Sequence, residues 1–215
     1  MYLSRLKLDQ KQRETLRALS SPHILHGAVE QSFASRDKRK LWRIDWLNGA
    51  CYLLVLSEEM PDFSHVVNQF GYPSDDKSWE TKDYSYLLSR LQEGEEWHFR
   101  LRANPTRSSF KEKDSARGRG KVYAHVTQEQ QRKWLLVKAD SCGFTLKKDE
   151  FDAVHTQWFR FSKGTGGKEV TLRTATFEGK LTISNLEGFR QTLQSGIGRG
   201  KAYGCGLLTL ASQRG

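Results

Sequence analysis

The sequence has few of the residues that build several common kinds of site. It contains 3 cysteines, Cys51, Cys142 and Cys205, which stand too far apart to form a CxxC pair. A disulfide framework or a structural zinc site is therefore not expected, and this cysteine usage fits a reducing cytoplasm. No HExxH motif or carboxylate cluster with metal-ligand spacing occurs, so we expect no metal and no other cofactor.

Long apolar runs and familiar nucleotide-binding motifs are missing too. No run approaches the roughly 20 apolar residues of a membrane-spanning helix, and the alternating N-terminus is unlike a signal peptide. The glycine-rich stretch 196–208 lacks GxxxxGK[ST], because Ala202 follows Lys201, and it lacks GxGxxG, because Tyr203 stands at the third glycine position. We therefore expect no membrane partner and no small-molecule substrate.

The chain instead carries an excess of positive charge, with 35 Lys and Arg against 25 Asp and Glu and a net charge of +10. Such an excess favours an anionic partner, and nucleic acid is favoured over a membrane. The basic residues concentrate in the segments 100–121, 160–173 and 196–208, although each segment alone also fits an ordinary solvated surface. We predict RNA-backbone contacts from Arg100, Arg102, Arg107, Lys111, Lys113, Arg160, Lys163, Lys168, Arg173, Gly198, Arg199, Gly200 and Lys201.

The glycine-rich stretch supports this interpretation in its own way. Glycine lets the backbone approach a ligand closely, and exposed N–H groups beside Arg199 and Lys201 suit a phosphate. The alternative is a glycine-rich turn before a final strand. Duplex RNA fits a basic hairpin well, because it is recognised largely through its shape and its backbone.

Strand-like and helical segments alternate in two rounds. The first round predicts strands at 2–8, 40–47, 50–57 and 83–87 and helices at 10–19, 22–34 and 64–70, with Ser21 as the N-cap of the second helix and Asn48-Gly49 as a hairpin turn. The second predicts an irregular segment at 104–121, strands at 96–103, 157–162, 169–177, 180–184 and 206–210, and helices at 128–139 and 186–194.

Each round approximates βαββαβ, which predicts an α+β protein of two tandem ferredoxin-like (RRM-like) domains. We place the domains at 1–90 and 95–215, with the boundary near 88–95.

A histidine on the second predicted helix is the candidate for proton transfer. An apolar stripe on that helix leaves His26 at its edge and His23 further onto the polar face. An edge position combines partial burial with solvent access, which suits a side chain that titrates near neutral pH, although an ordinary surface histidine fits the same pattern. RNA offers a route without metal, because its own 2′-OH can attack the phosphodiester once a base removes the proton.

Four segments, spread from the first residue to the final strand, resemble a known family. They are Met-Tyr-Leu-Ser at 1–4, the helix with His26, Phe-Arg-Leu-Arg-Ala-Asn-Pro at 99–105, and Phe-Glu-Gly-Lys-Leu at 177–181 together with the glycine-rich stretch. The chain is similar in these segments to the CasE family, the CRISPR precursor-RNA endoribonucleases of type I-E systems.

The resemblance implies metal-independent cleavage beside a CRISPR repeat stem-loop and continued binding to the product as a subunit of the Cascade complex. Its implied partners are the repeat stem-loop RNA and the other Cascade proteins, and the family's active-site histidine falls on His26. Two positions depart from the family: His23 replaces a frequent tyrosine, and Gln31 replaces a lysine found in some members. The group that assists His26 is therefore open among His23, Arg36, Lys38 and the 100–121 segment. The competing hypothesis is a non-catalytic RNA-binding subunit.

Overall fold

The first half of the chain forms a four-stranded antiparallel sheet with helices packed against it. The computed structural model describes residues 1–74, 78–114, 119–162, 167 and 169–212, and it describes no side chains at 110–114, 119 and 120. The elements of the first half are β1 (Tyr2–Leu8), α1 (Arg13–Ser20), α2 (Pro22–Gln31), β2 (Lys40–Leu47), β3 (Ala50–Ser57), α3 (Ser64–Phe70), β4 (Trp79–Asp83) and α4 (Ser85–Arg90). The strand order in the sheet is β2-β3-β1-β4.

Local sequence explains most of this half. In β1, Leu6 and Leu8 are buried and Arg5 and Lys7 are exposed, as the alternation of a half-buried strand requires. The β2–β3 hairpin has the predicted bounds, and its two turn residues both have positive φ, 50° at Asn48 and 76° at Gly49. This is the conformation that a two-residue hairpin turn needs.

The second half repeats the arrangement with longer strands. The elements are β5 (Glu96–Ala103), β6 (Thr106–Asp114), β7 (Arg119–Ala124), α5 (Gln128–Ser141), β8 (Phe144–Thr145), β9 (Phe151–Ser162), β10 (Glu169–Ile183), α6 (Leu186–Ser195), a 3-10 turn (Lys201–Tyr203) and β11 (Leu208–Ala211). The outer strand β11 pairs with β5, and β5 pairs with β10. Strands β9 and β8 pair along the other edge of β10. The predicted α+β class with tandem ferredoxin-like domains is confirmed.

One prediction in the first half is wrong. The closing strand lies at Trp79–Asp83, whereas most of the predicted strand 83–87 is helical, because the Asp83 carboxylate accepts the N–H of Ser85 at 2.8 Å and so begins α4. Strand β4 is a polar edge strand without an apolar alternation to reveal it. Ser21 is the N-cap of α2 and Pro22 is its first residue, as predicted, although the Ser21 side chain makes no capping hydrogen bond.

Two more predictions are wrong in the second half. The segment 104–121 is not irregular, since most of it pairs as the β6–β7 hairpin, a two-stranded ribbon outside the main sheet. The predicted strands 169–177 and 180–184 form one strand, β10, with a register shift between Thr176 and Phe177. Glycine at position 179 lets β10 pass close to the start of β9, because a Cβ there would lie 2.2 Å from the Glu150 carbonyl oxygen.

The two halves share one buried cluster, to which Leu41 and Leu56 contribute from the first half and Leu101, Phe177 and Leu207 from the second. The two sheets draw their strands from residues 2–83 and 96–211, on either side of the predicted boundary. The division into domains 1–90 and 95–215 stays a prediction. Across the described ranges, no helix is both long and apolar enough to cross a membrane.

The buried guanidinium of Arg43 joins the two sheets. Its Nε and Nη2 atoms each lie 2.7 Å from an oxygen of Asp45. Nη1 donates to the carbonyls of Arg100 at 2.7 Å and Leu207 at 2.9 Å, and Nη2 also donates to Thr209 Oγ1 at 2.8 Å. All five N–H donors of the guanidinium are thereby used, which fixes β2 against β5 and the chain entering β11.

Candidate active site

Helix α2 presents His26 as the periodicity predicts. Leu25, Ala28 and Val29 are buried under the helix, while the His26 side chain is 31% exposed. The His26 side chain is therefore partly packed against the protein and partly accessible from solvent. The catalytic role of His26 stays a prediction.

A carboxylate and an aromatic ring flank His26. Glu30, one helical turn later, places Oε1 3.8 Å from His26 Nδ1. The ring of Tyr203 stands edge-on to the imidazole, with 6.5 Å between centroids, and Tyr203 also packs edge-on against Phe161, with 5.0 Å between centroids. Three rings from α2, the 3-10 turn and β9 thus form one row.

A buried lysine lies behind Glu30. Lys40 Nζ is 3.1 Å from Glu30 Oε2 and 2.6 Å from the Ser35 carbonyl oxygen, and it lies over the ring of Phe33 at 5.4 Å. The Lys40 side chain is only 2% exposed. The ammonium therefore has the paired environment that a buried charge requires.

The glycine-rich stretch folds onto the first sheet and brings Tyr203 to α2. Gly196, Gly198, Gly200, Gly204 and Gly206 all have positive φ. A Cβ on Gly204 would lie 2.7 Å from the ring of Trp42, so glycine is needed there for close packing as well as for its backbone conformation. This part of the stretch has a structural role that the phosphate-binding interpretation did not include.

Two side chains of the stretch are engaged inside the protein. Cys205 is buried, which raises the pKa of its thiol to about 11 and keeps it neutral near pH 7. Lys201 Nζ donates to the Ser195 carbonyl at 2.6 Å, at the end of α6. Burial lowers the pKa of Lys201, and the nearby Arg39 adds to the effect.

The basic residues predicted to bind RNA fall into an exposed set and a packed set. Arg107, Arg160 and Arg199 are exposed, and Gly198 and Gly200 lie beside Arg199. Arg107 also lies over the ring of Tyr123 at 5.7 Å. These exposed guanidinium groups are on the β6–β7 hairpin, on β9 and in the glycine-rich stretch, so they are available to a backbone phosphate.

The packed set already has partners. Arg100 lies 2.7 Å from Glu178 and 3.7 Å from Asp45. Arg102 lies over Phe159 at 5.0 Å, and burial lowers its pKa. Arg173 donates to Thr156 Oγ1 at 2.9 Å and lies over Trp158 at 5.2 Å.

Four of the predicted lysines lie beyond what the structure describes. The backbone of Lys111 and Lys113 is part of β6, but their side chains are not described, and Lys163 and Lys168 are outside the described residues. Their assignment to RNA binding stays a prediction.

The candidates for assisting His26 differ in their surroundings. His23 lies on α2 and is half-buried, Arg36 is exposed, and Lys38 pairs with Glu59 at 3.1 Å. The sequence interpretation missed Lys40 and Tyr203 and gave Glu30 no role. The i,i+4 spacing of His26 and Glu30 was a readable signal for the last of these.

A separate open cleft of about 540 Å³ lies between β2 and the second sheet. Its described lining includes Trp46, Arg102, His155 and Phe159 but not His26, so the proton-transfer hypothesis concerns the surroundings of His26 and not this cleft. Among the residues that the structure describes, no group of three or more His, Cys, Asp or Glu side chains is placed to hold a metal ion.

Comparison with known proteins identifies the family. A family model described as "CRISPR associated protein" matches residues 1–212. The chain belongs to this family. Two curated relatives confirm the resemblance to CasE. The CRISPR-associated endoribonuclease Cse3 of Thermus thermophilus is 27% identical over 98% of this chain and 100% of its own length. The Cascade subunit CasE of Escherichia coli is 28% identical over 98% of this chain and 99% of its own length.

The fold agrees with a solved structure of the family. Thermus thermophilus Cse3, bound to an RNA representing a pre-cleavage complex, superimposes with a TM-score of 0.77 at 25% identity, covering 98% of each chain. The similarity therefore extends over both sheets of this CRISPR-associated protein.

Proposed function

We propose that this protein is an endoribonuclease that cleaves CRISPR repeat RNA beside its stem-loop and remains bound to the product as a subunit of a Cascade complex. The observation that carries the proposal is the position of His26, at the edge of α2 between Glu30 and Tyr203, in a chain that matches its family over residues 1–212. Relatives along the full length are named as a CRISPR-associated endoribonuclease and a Cascade subunit.

The proposed reaction uses the substrate's own 2′-OH and needs no divalent metal. His26 takes the proton from the 2′-oxygen, this oxygen attacks the adjacent phosphorus, and the bond from phosphorus to the 5′-oxygen breaks. The leaving 5′-oxygen takes up a proton. The products are a 2′,3′-cyclic phosphate, or the 3′-phosphate formed from it, and a 5′-hydroxyl.

RNA binding is proposed for the exposed basic residues of the second half. Arg107, Arg160 and Arg199 supply affinity through the backbone, and such contacts fix the register of the RNA without reading its sequence. Arg100 and Arg102 line the open cleft, where Arg100 is paired with Glu178 and Arg102 lies over Phe159. In this arrangement the chemistry comes from the first half and most of the binding from the second.

The test is cleavage of labelled repeat RNA in EDTA, with ribose or 2′-deoxyribose at the cut site. The ribose substrate should be cut to the two products named above, and the deoxy substrate should bind with nearly the same affinity and stay intact. Cutting of the deoxy substrate would rule out 2′-OH attack. Dependence of ribose cleavage on Mg²⁺ would rule out the metal-free route.

The competing function, a non-catalytic RNA-binding subunit, gives a different result in the same experiment. It predicts a shifted band for both RNAs and no cut in either, with or without added divalent metal. The exposed arginines suit both functions, so cleavage decides between them.

A further inference from the structure

The Glu30 carboxylate has two cationic or ionisable partners, and each of its two oxygens faces one of them. Oε1 faces His26 Nδ1 at 3.8 Å, and Oε2 faces Lys40 Nζ at 3.1 Å. The carboxylate thus bridges the histidine on its own helix and a lysine at the start of β2. A surface i,i+4 pair would have its second oxygen in solvent, which is not the case here.

Lys40 has the properties of an anchor. Its ammonium is held by Glu30, by the Ser35 carbonyl at 2.6 Å and by the face of Phe33. A buried lysine loses its rotamer freedom when the protein folds, so it imposes little further entropy cost on the partner that it holds. Lys40 therefore fixes the Glu30 carboxylate, whereas an exposed ion pair would leave it mobile.

We propose that Glu30 is the positioning residue of the proton-transfer site, orienting the His26 ring through Nδ1 while buried Lys40 holds Glu30 in place. The proposal rests on the proposed function of His26. A carboxylate at Nδ1 favours the tautomer that carries its proton there, which leaves Nε2 as the basic nitrogen. The 3.8 Å separation is longer than a hydrogen bond, and such contacts often tighten in the substrate complex.

The charges around His26 predict opposite effects for Glu30 and Lys40. Glu30 favours the imidazolium that forms after proton capture, and Lys40 offsets part of that effect. Other titratable or charged groups lie on α2 and on the elements packed against it. They are His23 on α2, Arg13, Glu14 and Arg17 on α1, Arg43 and Asp45 on β2, Tyr203 and Lys201 in the 3-10 turn, the latter bonded to the Ser195 carbonyl, and His65 on α3, whose Nε2 lies 3.0 Å from the Ala28 carbonyl oxygen. Substitution of Glu30 or Lys40 leaves these other groups in place.

The experiment compares Glu30→Gln and Lys40→Met with the native protein by two measurements. One is the NMR titration of the His26 ring in the free protein, with the signal assigned by its loss in His26→Ala. The other is the pH profile of single-turnover cleavage. Glu187→Gln, which removes an exposed carboxylate paired with Arg190, and Lys147→Met, which removes an exposed ammonium paired with Glu150, are the matched controls.

We expect Glu30→Gln to lower the titration midpoint of His26 by about half to one pH unit, since a nearby negative charge is lost. The acid limb of the cleavage profile should move to lower pH by the same amount, and the plateau rate should fall about three- to tenfold. Lys40→Met should move both midpoints the other way, by about a quarter to half a unit. The controls should move neither midpoint.

Two outcomes would overturn different claims. Unchanged His26 midpoints in both Glu30→Gln and Lys40→Met would overturn the positioning proposal, even if cleavage slowed, because a packing defect lowers the rate without moving the midpoint. Shifted midpoints with full cleavage by His26→Ala would overturn the proposed role of His26 and leave the electrostatic coupling of Glu30 to its ring intact.

Discussion

The two halves of this chain share one topology but contribute different kinds of charged side chain to the proposed function, buried and paired groups from the first half and exposed arginines from the second. In the first half, Lys40 and Arg43 are buried, and each is bonded to a carboxylate within the protein. In the second half, Arg107, Arg160 and Arg199 are exposed on hairpins and a loop. A fixed site requires charges that cannot move, whereas backbone binding requires charges that a phosphate can reach.

This contrast predicts separable defects. Variants of the buried or paired groups in the first half should alter the rate or the stability at nearly constant RNA affinity. Variants of the exposed arginines should alter affinity at nearly constant single-turnover rate. Four variants, the last of them double, test the separation, beginning with the largest expected effect.

The largest effect is expected for His26→Ala. Loss of a general base typically costs about 10²–10⁴ in rate, so single-turnover cleavage should fall by at least the lower figure while the repeat stem-loop binds almost as well. His23→Ala is the control on the same helix and should lose about tenfold, from weaker positioning or charge stabilisation. Saturating enzyme keeps binding defects out of the measured rate. A larger loss in His23→Ala would reverse the assignment.

The next effect is a loss of stability in Arg43→Met. The variant takes the 2.7 Å partner away from the buried Asp45 carboxylate and leaves Arg100 at 3.7 Å. Removing one partner of a buried pair costs about 3–5 kcal/mol of unfolding free energy, which urea denaturation measures. Arg5→Met, which breaks an exposed pair with Glu80, should change the unfolding free energy by less than about 0.5 kcal/mol. Equal losses in the two variants would show that Arg43 does not join the halves energetically.

A smaller loss is expected for Gly204→Ala. The new Cβ would lie 2.7 Å from the Trp42 ring, and residue 204 has a φ of +74°. Backbone strain and displacement of the ring together should lower the unfolding free energy by about 2–3 kcal/mol. Gly94→Ala, with φ of +87° and no heavy atom within 4 Å of the Cβ, should lose only the backbone part, about 1–2 kcal/mol. Cleavage should also slow in Gly204→Ala, because Tyr203 moves with the loop. Equal losses of unfolding free energy in Gly204→Ala and Gly94→Ala would contradict the packing argument.

The smallest effect is a change in salt dependence. The double variant Arg160→Gln/Arg199→Gln should lower the log–log slope of RNA affinity against salt by about 0.7–0.9 for each phosphate that the protein no longer neutralises. Arg100→Gln removes the same kind of charge from a group already paired with Glu178, and it should leave the slope almost unchanged. A slope that changes with Arg100 alone would mean that pairing does not decide which arginines reach the RNA.

Local signals made much of the fold predictable. The β2–β3 hairpin follows from alternation and a two-residue turn, and the edge position of His26 follows from helical periodicity. The missed strand β4 and the β6–β7 hairpin have no apolar face that alternation could reveal. They form because backbone groups pair at an edge or in a ribbon, and this pairing leaves little trace in residue type.

The site was only partly predictable because its neighbours come from distant parts of the chain. Tyr203 reaches α2 through a series of glycines whose close packing against Trp42 depends on the folded first sheet. Lys40 is buried although lysine is among the residues least often found in a core. Neither arrangement follows from composition or periodicity.

The row of rings formed by Phe161, Tyr203 and His26 has a mechanical consequence. Phe161 belongs to the β9–β10 pair, whose far end extends beyond β5, and Tyr203 touches both neighbours. Closely packed rings transmit a displacement from one to the next, because packed protein has low compressibility. Under the proposed function, a displacement of the β9–β10 pair by bound RNA would be transmitted through Phe161 and Tyr203 to the surroundings of His26.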